Sequence, residues 1–306
     1  MRRVAVMRVA VTGASGFVGG AVCRAAREAG WEVHGFGRTR TGGGLRSWDI
    51  TRPAPPGLPE VDAVIHCAGG VTDWGRPEAI WAANVTGTRN VAAAFPGARF
   101  VHVSTASVYD PFRPTVRATE EEAPVTRYVN AYGASKAAAE RLVAGRAVVL
   151  RPHAVYGPGD TTLLPRVLGA VRGRRLLAVG DGRQLLSLTS VGNLARACLL
   201  AAAGPVASGV FNVTDAEPVV LDDALRAILR ERGVPAEPYY LPPRLATSLA
   251  AVAETAFRLL ASPRPPRLTR YAAGHLAVER TLDISAARRL LGYRPAPTSF
   301  TGAASW

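Results

Sequence analysis

With 306 residues, the chain is long enough to bury one large core or two closely joined ones. Hydrophobic residues make up 48% and charged residues 20% of it, as in soluble globular proteins. No uncharged apolar run reaches the roughly 18 residues of a membrane span, so we expect no membrane partner. The three cysteines, Cys23, Cys67 and Cys198, are widely spaced and odd in number. Because this pattern fits neither a metal site nor a disulfide framework, we expect a cytoplasmic protein without a bound metal.

The formal net charge of +14 is a feature shared with many nucleic-acid-binding proteins. However, the arginines are dispersed, and aromatic residues do not alternate with them as they do on surfaces that bind single-stranded nucleic acid. We therefore expect no nucleic-acid partner. Attraction of an anionic cofactor is the simpler use of the charge.

The first motif is a glycine-rich turn between a short apolar strand, residues 8–12, and a helical pattern that ends at Gly30. Glycines allow such a turn to be tight, let the backbone approach a pyrophosphate, and bring the helix close to the strand. The phosphate then lies at the helix N-terminus. The spacing is G-x-x-G-x-x-G, looser than G-x-G-x-x-G, so a purely structural role stays the alternative. The residues expected to contact the cofactor here are Gly13, Ser15, Gly16, Phe17, Val18 and Gly19.

The second predicted strand, residues 32–36, is followed by Arg38 and Arg40 instead of a carboxylate. NAD-binding proteins place Asp or Glu near this point, about 20 residues past the glycines, to bind the ribose 2′-hydroxyl. Arginines would instead attract the 2′-phosphate of NADP. The sequence therefore predicts NADP, and NAD stays open because two solvated arginines would give the same pattern.

Further predicted strands at residues 62–66, 100–103 and 147–150 alternate with helices. This alternation is typical of a doubly wound parallel sheet, in which ligands bind at the carboxyl ends of the strands. We predict an α/β fold with a doubly wound, parallel Rossmann-type sheet and a smaller C-terminal substrate-binding domain.

Beyond about residue 160 the alternation ends. We predict a cofactor-binding domain at residues 1–160, with a return segment at about 186–203, and a substrate-binding domain formed mainly by residues 161–306. An apolar stripe at helical spacing runs from residue 245 to residue 260. We expect this stripe to be core, with a role in covering the substrate as the alternative.

Lys136 is the single lysine of the chain, because 36 of its 37 Lys and Arg residues are arginines. Tyr132 precedes it by four residues, which places both side chains on one face of a helix. A nearby ammonium favours the phenolate and lowers the tyrosine pKa from its usual value of about 10. We therefore expect Tyr132 to donate or accept a proton near neutral pH. The alternative is two residues that merely share a helix face.

Five motifs together resemble the extended short-chain dehydrogenase/reductases, the group that includes nucleotide-sugar epimerases and dehydratases. They are Thr-Gly-Ala-Ser-Gly-Phe-Val-Gly at 12–19, Asn-Val-x-Gly-Thr at 84–88, Ser-Thr-x-x-Val-Tyr at 104–109, Tyr-x-x-x-Lys at 132–136 and Arg-Pro-x-x-Val-Tyr-Gly-Pro-Gly at 151–159. Within that family, segments 190–194, 266–271 and 291–295 look most like the 3β-hydroxysteroid dehydrogenase branch.

The resemblance implies that Thr105 is the catalytic hydroxyl residue, Tyr132 the acid or base, and Lys136 its partner and a ligand of the nicotinamide ribose. It also implies that Asp49 approaches the adenine ring, and that the protein is a homodimer, as is usual in the family. Further residues that we expect to bind the cofactor are Ile50, Ala68, Gly69, Asn84 and Pro152.

Two features depart from the family pattern. The dehydratase branch has Asp-Glu directly after the Thr of Ser-Thr, whereas this chain has Ala106 and Ser107, so we do not expect dehydration. Glycine often follows the Val-Tyr of this motif, where this chain has Asp110.

The predicted function is that of an NADP(H)-dependent oxidoreductase that interconverts a ketone and a secondary alcohol on an apolar small-molecule substrate. A nucleotide-sugar epimerase or 4-ketoreductase is the alternative, because four arginines between residues 172 and 183 could bind a diphosphate. A non-catalytic, cofactor-binding regulator is the third hypothesis. The intact Thr105, Tyr132 and Lys136 speak against it, since a sensor needs none of them.

Overall fold

The computed structural model describes residues 6–38, 44–110, 113–260, 262 and 265–306. In these ranges the strands are β1 (Arg8–Thr12), β2 (Glu32–Gly37), β3 (Arg46–Ser47), β4 (Ala63–His66), β5 (Arg99–Val103), β6 (Thr115–Ala118), β7 (Ala147–Pro152), β8 (Val155–Tyr156), β9 (Val171–Arg172), β10 (Arg175–Val179), β11 (Leu185–Leu186), β12 (Thr189–Ser190), β13 (Gly209–Val213), β14 (Val219–Val220), β15 (Glu237–Leu241) and β16 (Arg280–Leu282). The α-helices are α1 (Phe17–Glu28), α2 (Pro77–Trp81), α3 (Gly87–Ala94), α4 (Ala131–Val143), α5 (Leu163–Gly169), α6 (Val191–Ala203), α7 (Leu221–Glu231), α8 (Pro243–Leu259), α9 (Arg270–Leu276) and α10 (Ser285–Leu290). A π-helical turn spans Ala82–Thr86, and 3-10 turns span Ala106–Val108, Glu120–Glu122 and Ala303–Ser305.

Seven strands form a wholly parallel sheet in the order β13-β7-β5-β4-β1-β2-β3. The strand order reverses between β1 and β4. In an open parallel sheet, ligands bind outside the carboxyl ends of the strands at such a reversal. The predicted α/β fold with a doubly wound, Rossmann-type sheet is confirmed.

Alternate residues of the central strands enter two separate cores, one on each face of the sheet. Val9 and Val11 of β1 belong to a core that also includes apolar residues of α1 and α6. Ala10, between them, belongs to a core formed with α3 and the end of α4. Because helices cover both faces, these strands are continuous apolar runs and do not alternate with polar residues.

The C-terminal part of the chain has its own hydrophobic core, built around α7 and the strands β10 and β11. Two small sheets surround it, in the orders β15-β10-β9 and β14-β11-β16-β6. The strand β6, which follows β5 in the chain, pairs with β16 in the second of these sheets. The C-terminal part is therefore linked to the segment that leaves the end of β5.

The apolar stripe predicted from residues 245–260 lies on α8 and is core only in part. Ala246 and Ala250 are buried, but Leu245, Leu249 and Val252 are 48%, 51% and 70% exposed. The core interpretation was therefore wrong for the wider apolar face. In the described part of the chain, no helix combines the length and apolarity needed to cross a bilayer.

Candidate active site

The glycine turn between β1 and α1 lies where the strand order reverses. Gly13 has a φ of +71°, and a Cβ on it would lie 2.8 Å from the Ala68 backbone nitrogen. A Cβ on Gly19 would lie 2.2 Å from the Gly13 carbonyl oxygen. Both positions therefore require glycine. Gly16 is the N-cap residue of α1, and in the described chain no side chain caps this helix end. The backbone N–H groups in the first turn of α1 therefore remain available for an anion.

Asn84 lies in the π-helical turn and links the end of β4 to α4. Its Oδ1 accepts a hydrogen bond from the Gly70 backbone N–H at 2.8 Å, and its Nδ2 donates to Ser135 Oγ at 2.9 Å. Ser135 Oγ in turn donates to the Tyr132 carbonyl oxygen at 3.0 Å. Single π turns within helices often occur at functional sites, because they redirect one side chain. Here that residue is Asn84, which holds the first turn of α4 through its hydrogen bond to Ser135.

Tyr132 and Lys136 lie one turn apart near the start of α4. Asn130 caps this helix, since its side chain accepts a hydrogen bond from the Gly133 N–H at 3.1 Å. A Cβ on Gly133 would lie 2.7 Å from the Ser107 carbonyl oxygen. The helix can therefore approach the turn after β5 closely enough for the Thr105 side chain to hydrogen-bond with Tyr132.

The Tyr132 phenol is neutral over the ordinary pH range. Burial raises its pKa, the nearby Tyr271 raises it further, and the hydrogen bond with Thr105 acts in the opposite direction. The predicted lowering of this pKa by Lys136 was therefore wrong, because desolvation disfavours the phenolate. A neutral phenol is the form that can donate a proton.

Lys136 is buried beneath the end of β5, and its Nζ donates to the Val103 carbonyl oxygen at 2.6 Å. Burial lowers its pKa to about 8, while the negative charge of Glu140 acts to raise it. The ammonium form is therefore retained at neutral pH although the side chain is desolvated.

Glu140 and Arg151 form a buried ion pair behind Lys136. The Arg151 Nη2 lies 2.7 Å from Glu140 Oε2, and the two side chains are 1% and 5% exposed. Ser104 also donates to Glu140, and Arg151 donates to the carbonyl oxygens of Glu120 and Ala123. The sequence reasoning did not identify this pair. Its available signal was the position of Glu140 four residues after Lys136 on the same helix face.

Arg38 is exposed at the end of β2, and Ser47 donates to its carbonyl oxygen at 3.3 Å. Its guanidinium acts on Asp49, whose pKa is lowered mainly by hydrogen bonds from Thr51. Ile50 packs against Gly87, where a Cβ would lie 2.5 Å from Ile50 Cδ1. Arg40, the second predicted arginine, lies outside the described residues.

The remaining predicted residues follow other strand ends of the same sheet. Ala68 and Gly69 follow β4, and the Ala68 N–H donates to Thr12 Oγ1 at 3.3 Å. Pro152 is the last residue of β7 and pairs with Val213. All the strands are parallel, so these residues lie along one edge with the glycine turn and Thr105. Among the described residues, no group of three or more His, Cys, Asp or Glu could hold a metal ion.

Comparison with known proteins identifies this arrangement. The model of the NAD dependent epimerase/dehydratase family matches residues 9–214. The chain belongs to this family. It is 33% identical to a 2-alkyl-3-oxoalkanoate reductase of Shewanella oneidensis, over 92% of this chain and 81% of that protein. It is 34% identical to the 4-hydroxy-2-methyl-3-oxo-4-farnesyl-3,4-dihydroquinoline-1-oxide ketoreductase of Stigmatella aurantiaca, over 94% of this chain and 92% of that protein.

A solved structure of MoeE5 in complex with UDP-glucose and NAD has the same fold as the present chain. The TM-score is 0.70 at 24% identity, and the match covers 95% of this chain and 94% of that one. Proteins named as ketoreductases are thus similar to this chain in sequence, and a protein solved with a nucleotide sugar shares its fold. The predicted family and the enzyme class, an NAD(P)-dependent oxidoreductase or epimerase, are confirmed.

One polar contact at this site was missed by the sequence reasoning. The Ser107 hydroxyl lies 2.6 Å from the Tyr271 hydroxyl, which α9 supplies from the C-terminal part of the chain. Ser107 also accepts a hydrogen bond from the Thr105 hydroxyl at 3.1 Å. Tyr271 occurs in one of the segments that resemble the 3β-hydroxysteroid dehydrogenase branch, but that resemblance assigns it no role.

Proposed function

We propose that this protein is an NADP(H)-dependent ketoreductase that reduces the ketone of an apolar 3-oxo acid to a secondary alcohol. The observation that carries the proposal is the hydrogen bond between Thr105 and Tyr132, together with the buried Lys136 one helical turn after Tyr132. The 33–34% identity to two proteins named as reductases of 3-oxo compounds supports the choice of substrate.

The proposed roles follow from the protonation of each side chain. Tyr132 keeps its proton at neutral pH and donates it to the ketone oxygen as the alcohol forms. Thr105 donates a second hydrogen bond to the same oxygen and stabilises the negative charge that develops there. The Lys136 ammonium stabilises the tyrosinate that the proton transfer leaves behind. When bound, the nicotinamide cofactor supplies the hydride.

The residues of the glycine turn fit a dinucleotide. The open N-terminus of α1 would hold the pyrophosphate, and the side chains of Asp49 and Ile50 would lie beside the adenine. Ala68, Gly69, Asn84 and Pro152 would line the cofactor along the strand ends. Arg38 supports NADP rather than NAD, because its exposed guanidinium at the end of β2 would attract the 2′-phosphate.

The nucleotide-sugar alternative depends on four arginines that would have to bind a diphosphate, and two of them make local contacts instead. The Arg175 guanidinium lies over the Tyr239 ring, 5.0 Å from its centroid. Arg172 Nη1 donates to the carbonyl oxygen of Gly169, at 3.0 Å, and to that of its neighbour Val171. These contacts engage both guanidinium groups locally, whereas a diphosphate site needs several that converge.

The remaining assignments are part of the same proposal. Residues 1–160 with 186–203 would form the cofactor-binding domain, and most of 161–306 the substrate-binding domain. The packing of α6 in one core with α1 supports the return segment. The three cysteines are free thiols, which supports a reducing cytoplasm. The family resemblance supports a homodimer.

The test is a turnover assay with 2-ethyl-3-oxohexanoate and either NADPH or NADH. We expect oxidation of NADPH and formation of the corresponding 3-hydroxy acid. A second assay measures the melting temperature of the NADP-bound protein with UDP or dTDP at millimolar concentration. A ligand present at 100 times its Kd adds about 2.7 kcal/mol of stability. No turnover of the keto acid, together with a clear rise in melting temperature, would favour the nucleotide-sugar function.

A further inference from the structure

The hydroxyl groups of Ser107 and Tyr271 lie next to the place where the ketone oxygen would bind. Ser107 is two residues after Thr105, in the 3-10 turn that Thr105 caps. Tyr271 is separated from Ser107 by 164 residues and reaches it from α9. The two hydroxyls and Thr105 form a chain, with Thr105 Oγ1 donating to Ser107 Oγ at 3.1 Å.

The hydroxyl groups of Ser107 and Tyr271 together have one proton more than their shared hydrogen bond uses. Ser107 and Tyr271 each have one hydroxyl proton, and only one of the two can occupy their shared 2.6 Å contact. When Thr105 donates its proton to the ketone oxygen, as proposed for the reaction, it no longer donates to Ser107, and the contact between Ser107 and Tyr271 still takes only one of their two protons. One proton is therefore left to donate to an oxygen of a bound ligand. Burial raises the pKa of Tyr271, so its phenol keeps its proton.

Charged side chains of both signs surround Tyr271. The Asp73 carboxylate acts most strongly of these on its hydroxyl, and the guanidinium groups of Arg166 and Arg280 act in the opposite sense. The Asp73 carboxylate is itself held by Arg166, at 2.5 Å, and by Thr269. The Asp73 carboxylate is thus paired, and Arg166 and Arg280 are the cations that act on a ligand oxygen bound at Tyr271.

A small cavity adjoins the same turn. It is lined by Ala106 and by His153, His275 and Arg280, among other residues. The His275 ring lies 4.3 Å from that of Tyr271, and its buried Nε2 has no hydrogen-bond partner among the described residues. Polar side chains therefore also line the space beside this turn.

We propose that Ser107 and Tyr271 form a second oxygen-binding position, which holds the carboxylate of a 3-oxo acid while its ketone oxygen lies at Thr105 and Tyr132. The inference rests on the proposed ketone reduction and names the substrate feature that this site selects. In a 3-oxo acid, one carbon atom separates the ketone carbon from the carboxylate carbon, so an oxygen of each group can reach hydroxyls that lie 3.1 Å apart. A simple ketone would leave the second position empty.

The test compares two substrates that differ only in the carboxylate, 2-ethyl-3-oxohexanoate and heptan-4-one. The wild-type enzyme should have the higher kcat/KM for the keto acid. Each of the variants Ser107→Ala and Tyr271→Phe should lower that value about tenfold to a hundredfold, and change the value for heptan-4-one no more than about twofold, because only the keto acid loses a charge-assisted hydrogen bond.

Tyr240→Phe is the matched control. It removes a phenol hydroxyl that donates to Asp222 in the C-terminal core region, at 2.7 Å, and should leave both values unchanged. Equal losses on the two substrates in Ser107→Ala and Tyr271→Phe would overturn the inference, as would undiminished activity on the keto acid or a changed preference in Tyr240→Phe. If the wild-type enzyme reduces neither substrate, the proposed function itself fails, whatever the variants do.

Discussion

The parallel sheet and the C-terminal part of this chain contribute to the site in different ways. In the sheet, Gly13, Ala68, Thr105 and Pro152 each lie at the carboxyl end of a strand or within two residues of it, so the topology alone brings them to one edge. Tyr271 instead reaches Ser107 through tertiary packing of α9. The sheet thus positions the groups proposed for proton transfer and cofactor binding, and the C-terminal part supplies a group proposed for substrate choice. Substitutions in the two regions should therefore have different kinetic signatures.

Tyr132→Phe should have the largest effect on activity. It removes a positioned acid, which commonly costs about 10²–10⁴-fold in rate. Because the lost proton is needed for every ketone, kcat should fall equally for 2-ethyl-3-oxohexanoate and heptan-4-one, in contrast to Tyr271→Phe. Fluorescence titration should show nearly unchanged NADPH affinity. Near wild-type turnover in this variant would show that Tyr132 is not the acid.

Glu140→Gln should have the largest effect on stability. The substitution leaves the Arg151 guanidinium buried without its carboxylate, and breaking a buried pair typically costs about 3–5 kcal/mol. Glu237→Gln is the control in the C-terminal part. Its partner is Arg226, and the two side chains are 75% and 45% exposed, so the loss should stay below about 1 kcal/mol. Urea unfolding measures both free energies, and equal losses would contradict this difference between the regions.

The sequence was informative where a residue's position along a strand or helix decides its place in the structure. The glycine turn, Thr105 and the Tyr132–Lys136 pair all follow from such local positions. The Tyr132 pKa was mispredicted, since it depends on burial in the folded chain and on Tyr271, which is distant in sequence. The exposed face of α8 was mispredicted for the same reason, because helical periodicity identifies an apolar face but not the partner that covers it.

Arg38→Ala tests the cofactor preference that the sheet region is proposed to set. Loss of a charge-assisted hydrogen bond to the 2′-phosphate costs about 1.5–3 kcal/mol, so NADPH affinity should fall roughly ten- to a hundredfold. NADH affinity should hardly change. Arg175→Ala removes the same charge from the C-terminal part and should affect neither cofactor. An equal loss for NADPH and NADH in Arg38→Ala would contradict the assignment, as would a wild-type enzyme that prefers NADH.

The pH dependence of ketone reduction should give the smallest of these effects and should again separate the two regions. The pKa of Lys136 is lowered to about 8 by burial, so the ammonium is present below this pH and lost above it. The pKa of Tyr132 is raised, so its phenol keeps the proton for reduction throughout this range. The kcat/KM for reduction should therefore fall as the pH rises above about 8, by about tenfold per pH unit.

Variants show which residue causes this fall in activity. Lys136→Arg keeps its charge at every pH tested, so any residual activity should show no fall near pH 8. Glu140 acts to raise the Lys136 pKa, so Glu140→Gln should move the fall to lower pH. Tyr271→Phe, in the C-terminal part, should change substrate preference and keep a fall near pH 8. A fall near pH 8 that persists in Lys136→Arg would assign the titration to another group and separate Lys136 from the proton chemistry.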